Sequence, residues 1–133
     1  ADMDAVGIRT YPPVDRAYFY MTMLLDLLPA HVKVVNRPST IRDWNEKLAA
    51  LQYPQFTPAT MVARHSAQII DFVHQHGRTT LKPIDGHGGA GIIFVDAEQA
   101  DLESQIRLVT HGDSHWVIVQ QYLDNQFSLQ VTI

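Results

Sequence analysis

The chain has 133 residues, 46% of them hydrophobic and 18% charged, a balance that supports a domain with a real core and excludes a disordered segment. A net charge of −4, a pI near 5.9 and ten scattered Lys and Arg leave no electrostatic footprint for nucleic acid, so any anion must be held by local groups. The absence of cysteine excludes disulfides and thiolate metal sites and fits a reducing compartment, and the longest apolar stretch, 17–30, is interrupted by Asp26 and Pro29 and is too short to span a membrane.

In chain order, Val6 to Thr10 reads as a short strand ending at Pro12-Pro13, after which Asp15 caps a helix running through Leu28. Tyr18, Met21, Leu25 and Leu28 recur at helical spacing and form its core stripe, and Pro29 stops it. Val32 to Asn36 is a strand. Ser39 or Thr40 then caps a second helix in which Ile41, Trp44, Leu48 and Leu51 share one face, with Lys47 on the flank. Tyr53 to Pro58 is a proline loop and Ala59 to Ala63 a strand. Ser66 caps a third helix through His76, with Ile69, Ile70 and Val73 inward and Gly77 as its terminator. Asp96 with Gln99 resembles a capping box opening a fourth helix, whose inner face is Leu102, Ile106 and Val109, and His111-Gly112-Asp113 closes it. Trp116 to Val119 is a buried strand that runs into Gln120 to Leu123 as a polar-then-apolar edge. The alternation of helices and strands places the chain in the α/β or α+β class. No methionine opens the chain, and 126–133 alternates without a turn or cap, so either end reads as an artificial cut.

The segment Leu81-Lys82-Pro83-Ile84-Asp85-Gly86-His87-Gly88-Gly89-Ala90-Gly91 lies between two strand-like runs, Thr79-Thr80-Leu81 and Ile92 to Val95. Glycine lets backbone N–H groups turn toward an anion without obstruction from Cβ. Gly86, Gly88 and Gly91 satisfy the spacing of a dinucleotide fingerprint, yet that motif must open a helix, and a β-rich run follows here. No Lys-Ser or Lys-Thr follows the glycines, so there is no Walker A loop. A glycine flap between strands, with Lys82 on the leading one, is the arrangement by which kinases cover nucleotide phosphates; the competing reading is a glycine hairpin with no ligand. Asp85 either aligns the loop through its backbone or is a turn former, and His87 at the tip reads as solvated. Lys47 on a helix flank is either a solvated surface lysine or a cation facing a cleft. The seven histidines do not assemble a metal site, because His74 and His76 point to different sides of their helix.

Several segments together resemble the prokaryotic glutathione synthetases of the ATP-grasp superfamily. They are Arg9-Thr10-Tyr11-Pro12-Pro13-Val14-Asp15, Val34-Val35-Asn36-Arg37-Pro38, Arg42-Asp43-Trp44-Asn45-Glu46-Lys47-Leu48, Thr57-Pro58-Ala59-Thr60, the glycine segment from Leu81 to Gly89, and Gln120-Gln121-Tyr122-Leu123, in family order. The resemblance implies an ATP-grasp fold in which 1–37 is the tail of a preceding α/β domain, 38–123 the central nucleotide-binding subdomain and 124–133 a divergent or truncated end. It implies that Lys47 and Lys82 contact ATP phosphates, that the loop with Asp85, Gly86, Gly88 and Gly89 closes over them, and that Gln120, Gln121, Tyr122 and Leu123 line the adenine pocket. The implied activity is a cytoplasmic ligase that phosphorylates the carboxylate of γ-glutamylcysteine with ATP and lets glycine displace phosphate, with small-molecule ligands, no nucleic acid, no membrane and a homo-oligomeric assembly. The Mg²⁺ ligands of the family lie in a later subdomain outside this chain, so the chain alone is expected to bind nucleotide weakly and not to turn over. Two alternatives stand beside this: a non-catalytic fragment or interaction module that keeps the fold without its ligand, and another ATP-grasp carboxylate-amine ligase.

Overall fold

The computed structural model describes residues 3–10 and 13–125, so the expectations for Pro12 and for 126–133 lie outside the described residues. The chain divides into two compact units, one made of 1–53 with 84–90, the other of 54–83 with 91–133.

The first unit opens on a parallel strand pair, β1 (Ala5–Gly7) and β2 (Lys33–Val35), in the register Val6 to Val34, and the Ile8 N–H adds a bond to the Val35 carbonyl. Parallel strands need a crossover, and α1 (Arg16–Leu25) supplies it. Asp15 caps α1 as expected, its carboxylate accepting from the Tyr18 N–H at 2.9 Å. The helix stops at Leu25, short of the expected Leu28. The N–H groups of Leu27 and Leu28 bond the carbonyls of Leu24 and Leu25, a tightening of the last turn, since Pro29 disfavours helical geometry at the residue before it. Tyr18, Met21, Leu25 and Leu28 are half-buried, and the one fully buried residue on the helix is Thr22, whose hydroxyl donates back to the Phe19 carbonyl at 2.7 Å.

The expected second helix is two short ones, α2 (Pro38–Asp43) and α3 (Glu46–Ala49). Arg37 in extended geometry precedes Pro38 at the first helical position, so neither Ser39 nor Thr40 is the cap. Trp44 leaves helical geometry at φ −110°, ψ 77°, and Asn45 restarts the chain by accepting from the N–H groups of Lys47 and Leu48 at 2.9 and 3.2 Å. A short polar side chain that bonds nearby amides competes with helix continuation, and here it wins. Trp44 is accordingly 49% exposed and not a core residue. Arg42 pairs with Asp26, tying α2 to the end of α1.

The second unit is an antiparallel sheet of β3 (Thr60–Ala63), β6 (Val117–Gln121), β4 (Thr79–Pro83) and β5 (Ile93–Val95), in that spatial order. The run into Gln120 is therefore an interior strand, not an edge, bonded to β3 on one side and β4 on the other. Strand alternation sends Ala63, Leu81, Val95, Val117 and Val119 to one face, where Ile69, Phe72 and Val73 of α4 (Ser66–His76) and Leu102 and Ile106 of α5 (Leu102–Val109) cover them. Gly77 ends α4 at φ +72°, in the left-handed region where glycine is least strained. The start of α5 falls at Leu102 and not at Asp96. Gln99 does reach back to the Asp96 N–H at 3.3 Å, but the Asp101 carboxylate, bonded by Gln99 and Gln105, stands between that turn and the helix.

Asp113, in the turn after α5 at φ +68°, accepts from both the N–H and the hydroxyl of Ser66. Ser66 is thus the first residue of α4 and is capped from across the sequence, whereas the expectation made it the cap. These hydrogen bonds, followed by Arg107 with Nη1 3.9 Å away, hold the Asp113 carboxyl below its ordinary range.

Candidate functional site

The side chains singled out by sequence fall into two groups. In the first unit, Lys47 sits at the start of α3, where Asn45 fixes its amide. Its side chain is only 19% exposed, which removes the solvated-surface reading, and its ammonium donates to the Gly86 carbonyl and lies 3.2 Å from Glu46 Oε1. The Asn45 amide donates to the Ile84 carbonyl at 3.4 Å, so residues 84–86 are held at both ends by the Asn45-Glu46-Lys47 turn.

These residues line a cavity of about 670 Å³ together with Arg42, Tyr18, Phe19, Trp44 and loop residues 84–88. The lining combines aromatic rings, the cations Arg42 and Lys47, the carboxylates Glu46 and Asp85 and part of the glycine loop. Asp85 and His87 both line it and are exposed. Asp85 lies in the turn that leaves β4, a position that suits a turn former. Gly88 and Gly89 adopt φ +59° and +79°, with open space where a Cβ would project. A side chain there would meet no atom but would strain the backbone, so these glycines are dictated by loop shape.

In the second unit, Lys82, Thr80, Gln120, Thr60 and Phe94 share the sheet face opposite the helices, as the pairings Thr80 to Gln120, Thr60 to Gln120 and Thr80 to Phe94 require. The Lys82 ammonium lies 2.8 Å from Gln120 Oε1, and the Gln120 amide donates to the Thr60 hydroxyl at 2.9 Å. This polar row crosses three strands and orients Lys82 by holding its amine. Gln121 ends β6, the Tyr122 N–H still bonds the Arg78 carbonyl at 2.8 Å one step beyond it, and Leu123 lies past the strand. Among the described residues no group of three His, Asp or Glu side chains is placed to hold a metal ion.

Sequence reasoning missed Arg42, Asn45 and Glu46 as neighbours of Lys47, and Thr60 as the end of the polar row. Asn45 had a local signal, an Asn directly before Glu-Lys-Leu. Thr60 had none, since it reaches Gln120 only through strand pairing.

The sequence profile of the prokaryotic glutathione synthetase ATP-grasp domain matches residues 46–128, and that of the prokaryotic glutathione synthetase N-terminal domain matches residues 1–42. The chain belongs to the prokaryotic glutathione synthetase family. The two matches meet around Trp44, where the backbone breaks between α2 and α3. The glutathione synthetase of Parasynechococcus marenigrum is 40% identical over 124 residues, covering 92% of this chain and 40% of the relative. That of Thermosynechococcus vestitus is 42% identical over 120 residues, covering 90% and 38%. The chain thus spans about 40% of the length of the glutathione synthetases it matches. Among solved structures, a RimK domain ATP-grasp protein from Sphaerobacter thermophilus has a similar fold, with a TM-score of 0.65 at 22% identity over 95% of this chain and 48% of that one. The fold is ATP-grasp, of mixed helices and sheets, as the sequence implied.

Proposed function

We propose that this chain is the ATP-binding portion of a glutathione synthetase-like ligase, acting in the cytoplasm on ATP, γ-glutamylcysteine and glycine. In this reading 38–123 carries the nucleotide site and 1–37 belongs to the preceding domain. Lys82 in the second unit and Lys47 in the first are the phosphate-binding cations, and the loop around Gly86, Gly88 and Gly89 supplies amide donors, with Asp85 turning the chain into it. Gln120, Gln121, Tyr122 and Leu123 receive the adenine.

The observation that carries the reading is the environment of the two amines. Each is only partly exposed and held at a defined point, Lys47 by the Gly86 carbonyl and the Glu46 carboxylate and Lys82 beside Gln120 Oε1, and an ammonium so placed is a donor from which phosphate oxygens accept strongly. The residues present therefore fit a polyphosphate. They do not fit Mg²⁺, for which no carboxylate cluster exists among the described residues, and its ligands are placed by this reading outside the chain. Bound ATP would supply the phosphoryl group that activates a carboxylate toward an amine. The part played by these residues is to orient and to neutralise charge, which is how phosphoryl transfer is accelerated when the protein contributes no covalent step.

Isothermal titration of the chain with ADP tests this. Binding is expected in the parent and is expected to fall at least about tenfold in Lys82→Ala and in Lys47→Ala, the scale of a lost charge-assisted phosphate contact. No heat at millimolar nucleotide, or variants that bind like the parent, would refute it.

A further inference from the structure

The open face of the second unit's sheet carries an aromatic corner formed by Phe94 and Tyr122. Arg78 holds that corner in two ways. Its carbonyl accepts from the Tyr122 N–H at 2.8 Å, extending the pairing of β4 with β6 one step past Gln121. Its guanidinium lies 4.5 Å from the centre of the Tyr122 ring and 5.7 Å from that of Phe94, and the two rings meet edge to face at 5.6 Å. Phe94 pairs with Thr80 and so stands on the same face as Lys82, yet it is 51% exposed, a large apolar ring that the unit leaves open.

The spacing gives the corner its meaning. Arg78 precedes Lys82 by four residues, about 13 Å along an extended strand. One end of this sheet face thus offers a cation and the other offers flat rings under a planar cation, separated by roughly the extended length of a nucleotide from base to outer phosphates. Exposed cation–π contacts add little stability by themselves, so three groups converging at a sheet corner are better explained by what they hold in place.

We propose that Arg78 is a positioning residue for the base end of the site, whose ligand class is a purine nucleoside di- or triphosphate. Its guanidinium against the Tyr122 and Phe94 rings keeps a stacking surface presented at the corner, while the main-chain bond to the Tyr122 N–H is independent of the side chain at 78. The proposal rests on the nucleotide reading above and adds to it a separation: base binding depends on Arg78, phosphate binding does not.

The test uses the full 133-residue chain, titrated with ADP and, separately, with inorganic tripolyphosphate, which has the phosphates and no base. Arg78→Ala is expected to weaken ADP about tenfold while tripolyphosphate stays within about twofold of the parent, and Arg78→Lys, which keeps the charge but loses the planar stack, to weaken ADP about threefold with the same split. If Arg78→Ala does not fold, as judged by circular dichroism, Arg78→Lys carries the test. Variants that bind ADP like the parent, or that lose both ligands in equal measure, overturn the proposal. A parent that binds tripolyphosphate as tightly as ADP overturns the base end while sparing the phosphate end; a parent that binds neither overturns the nucleotide reading and this proposal with it.

Discussion

Two side chains show how single residues set this structure's properties. Lys47 looks on paper like any exposed helix lysine, and its neighbours convert it into a held cation: Asn45 fixes its amide, and the Gly86 carbonyl and Glu46 fix its ammonium. Asp113 is the other case, because its carboxylate is bonded in the fold by both donors of Ser66 and titrates below its ordinary range. A carboxyl whose pKa is lowered by folding contributes stability that is present above its unfolded pKa and is lost as pH falls through the folded one. Below about pH 4 the parent is therefore expected to lose melting temperature more steeply than Asp113→Asn, which tolerates the same left-handed backbone but has no proton to take up. Thermal melts of both proteins across that range check it, and parallel curves would show that the Ser66 bonds do not discriminate the ionised form.

At the scale of elements, the division of one expected helix into α2 and α3 matters most, because it delivers Lys47 to the loop. The apolar spacing Ile41, Trp44, Leu48, Leu51 is genuinely helical, and periodicity alone reads through the break. Asn45 overrides it with two hydrogen bonds that a continuous helix would not need. Removing that cap in Asn45→Ala is expected to cost about 1 kcal/mol locally, seen as roughly fivefold faster hydrogen exchange at the Lys47 and Leu48 amides. Unchanged exchange there would mean the turn is held by other groups. Elements with strong local signals, such as the Asp15 cap, the Gly77 terminator and the inner face of α4, were legible from sequence. The interior position of β6, the Ser66–Asp113 cap and the Lys82–Gln120–Thr60 row were not, because each depends on strand order or on partners 38 to 60 residues apart. The glycine loop lay between these extremes: its strand-loop-strand context was readable, while the attachment of its leading residues to Asn45 and Lys47 was not.

For the whole molecule, family membership rests on profile matches over 1–42 and 46–128 and on relatives near 40% identity, while the chain spans about 40% of their length. The described residues include the cations and the glycine loop proposed above for phosphates, and among them no group of three His, Asp or Glu side chains is placed to hold the metal that phosphoryl transfer needs. The purified 133-residue chain, given ATP, Mg²⁺, γ-glutamylcysteine and glycine, is accordingly expected to form no glutathione detectable by mass spectrometry, and sustained formation would show that the metal is held by groups not identified above. The claim on which everything else depends is that a nucleotide binds along Lys82, the glycine loop and the segment leaving β6. It is tested most directly by titrating ADP into the ¹⁵N-labelled chain and following its amide resonances. The expected result is saturable shifts concentrated at Lys82, at Gly86, Gly88 and Gly89, and at Gln120 to Leu123. No shifts, or shifts gathered on α4 and α5 on the opposite face of the sheet, would contradict it.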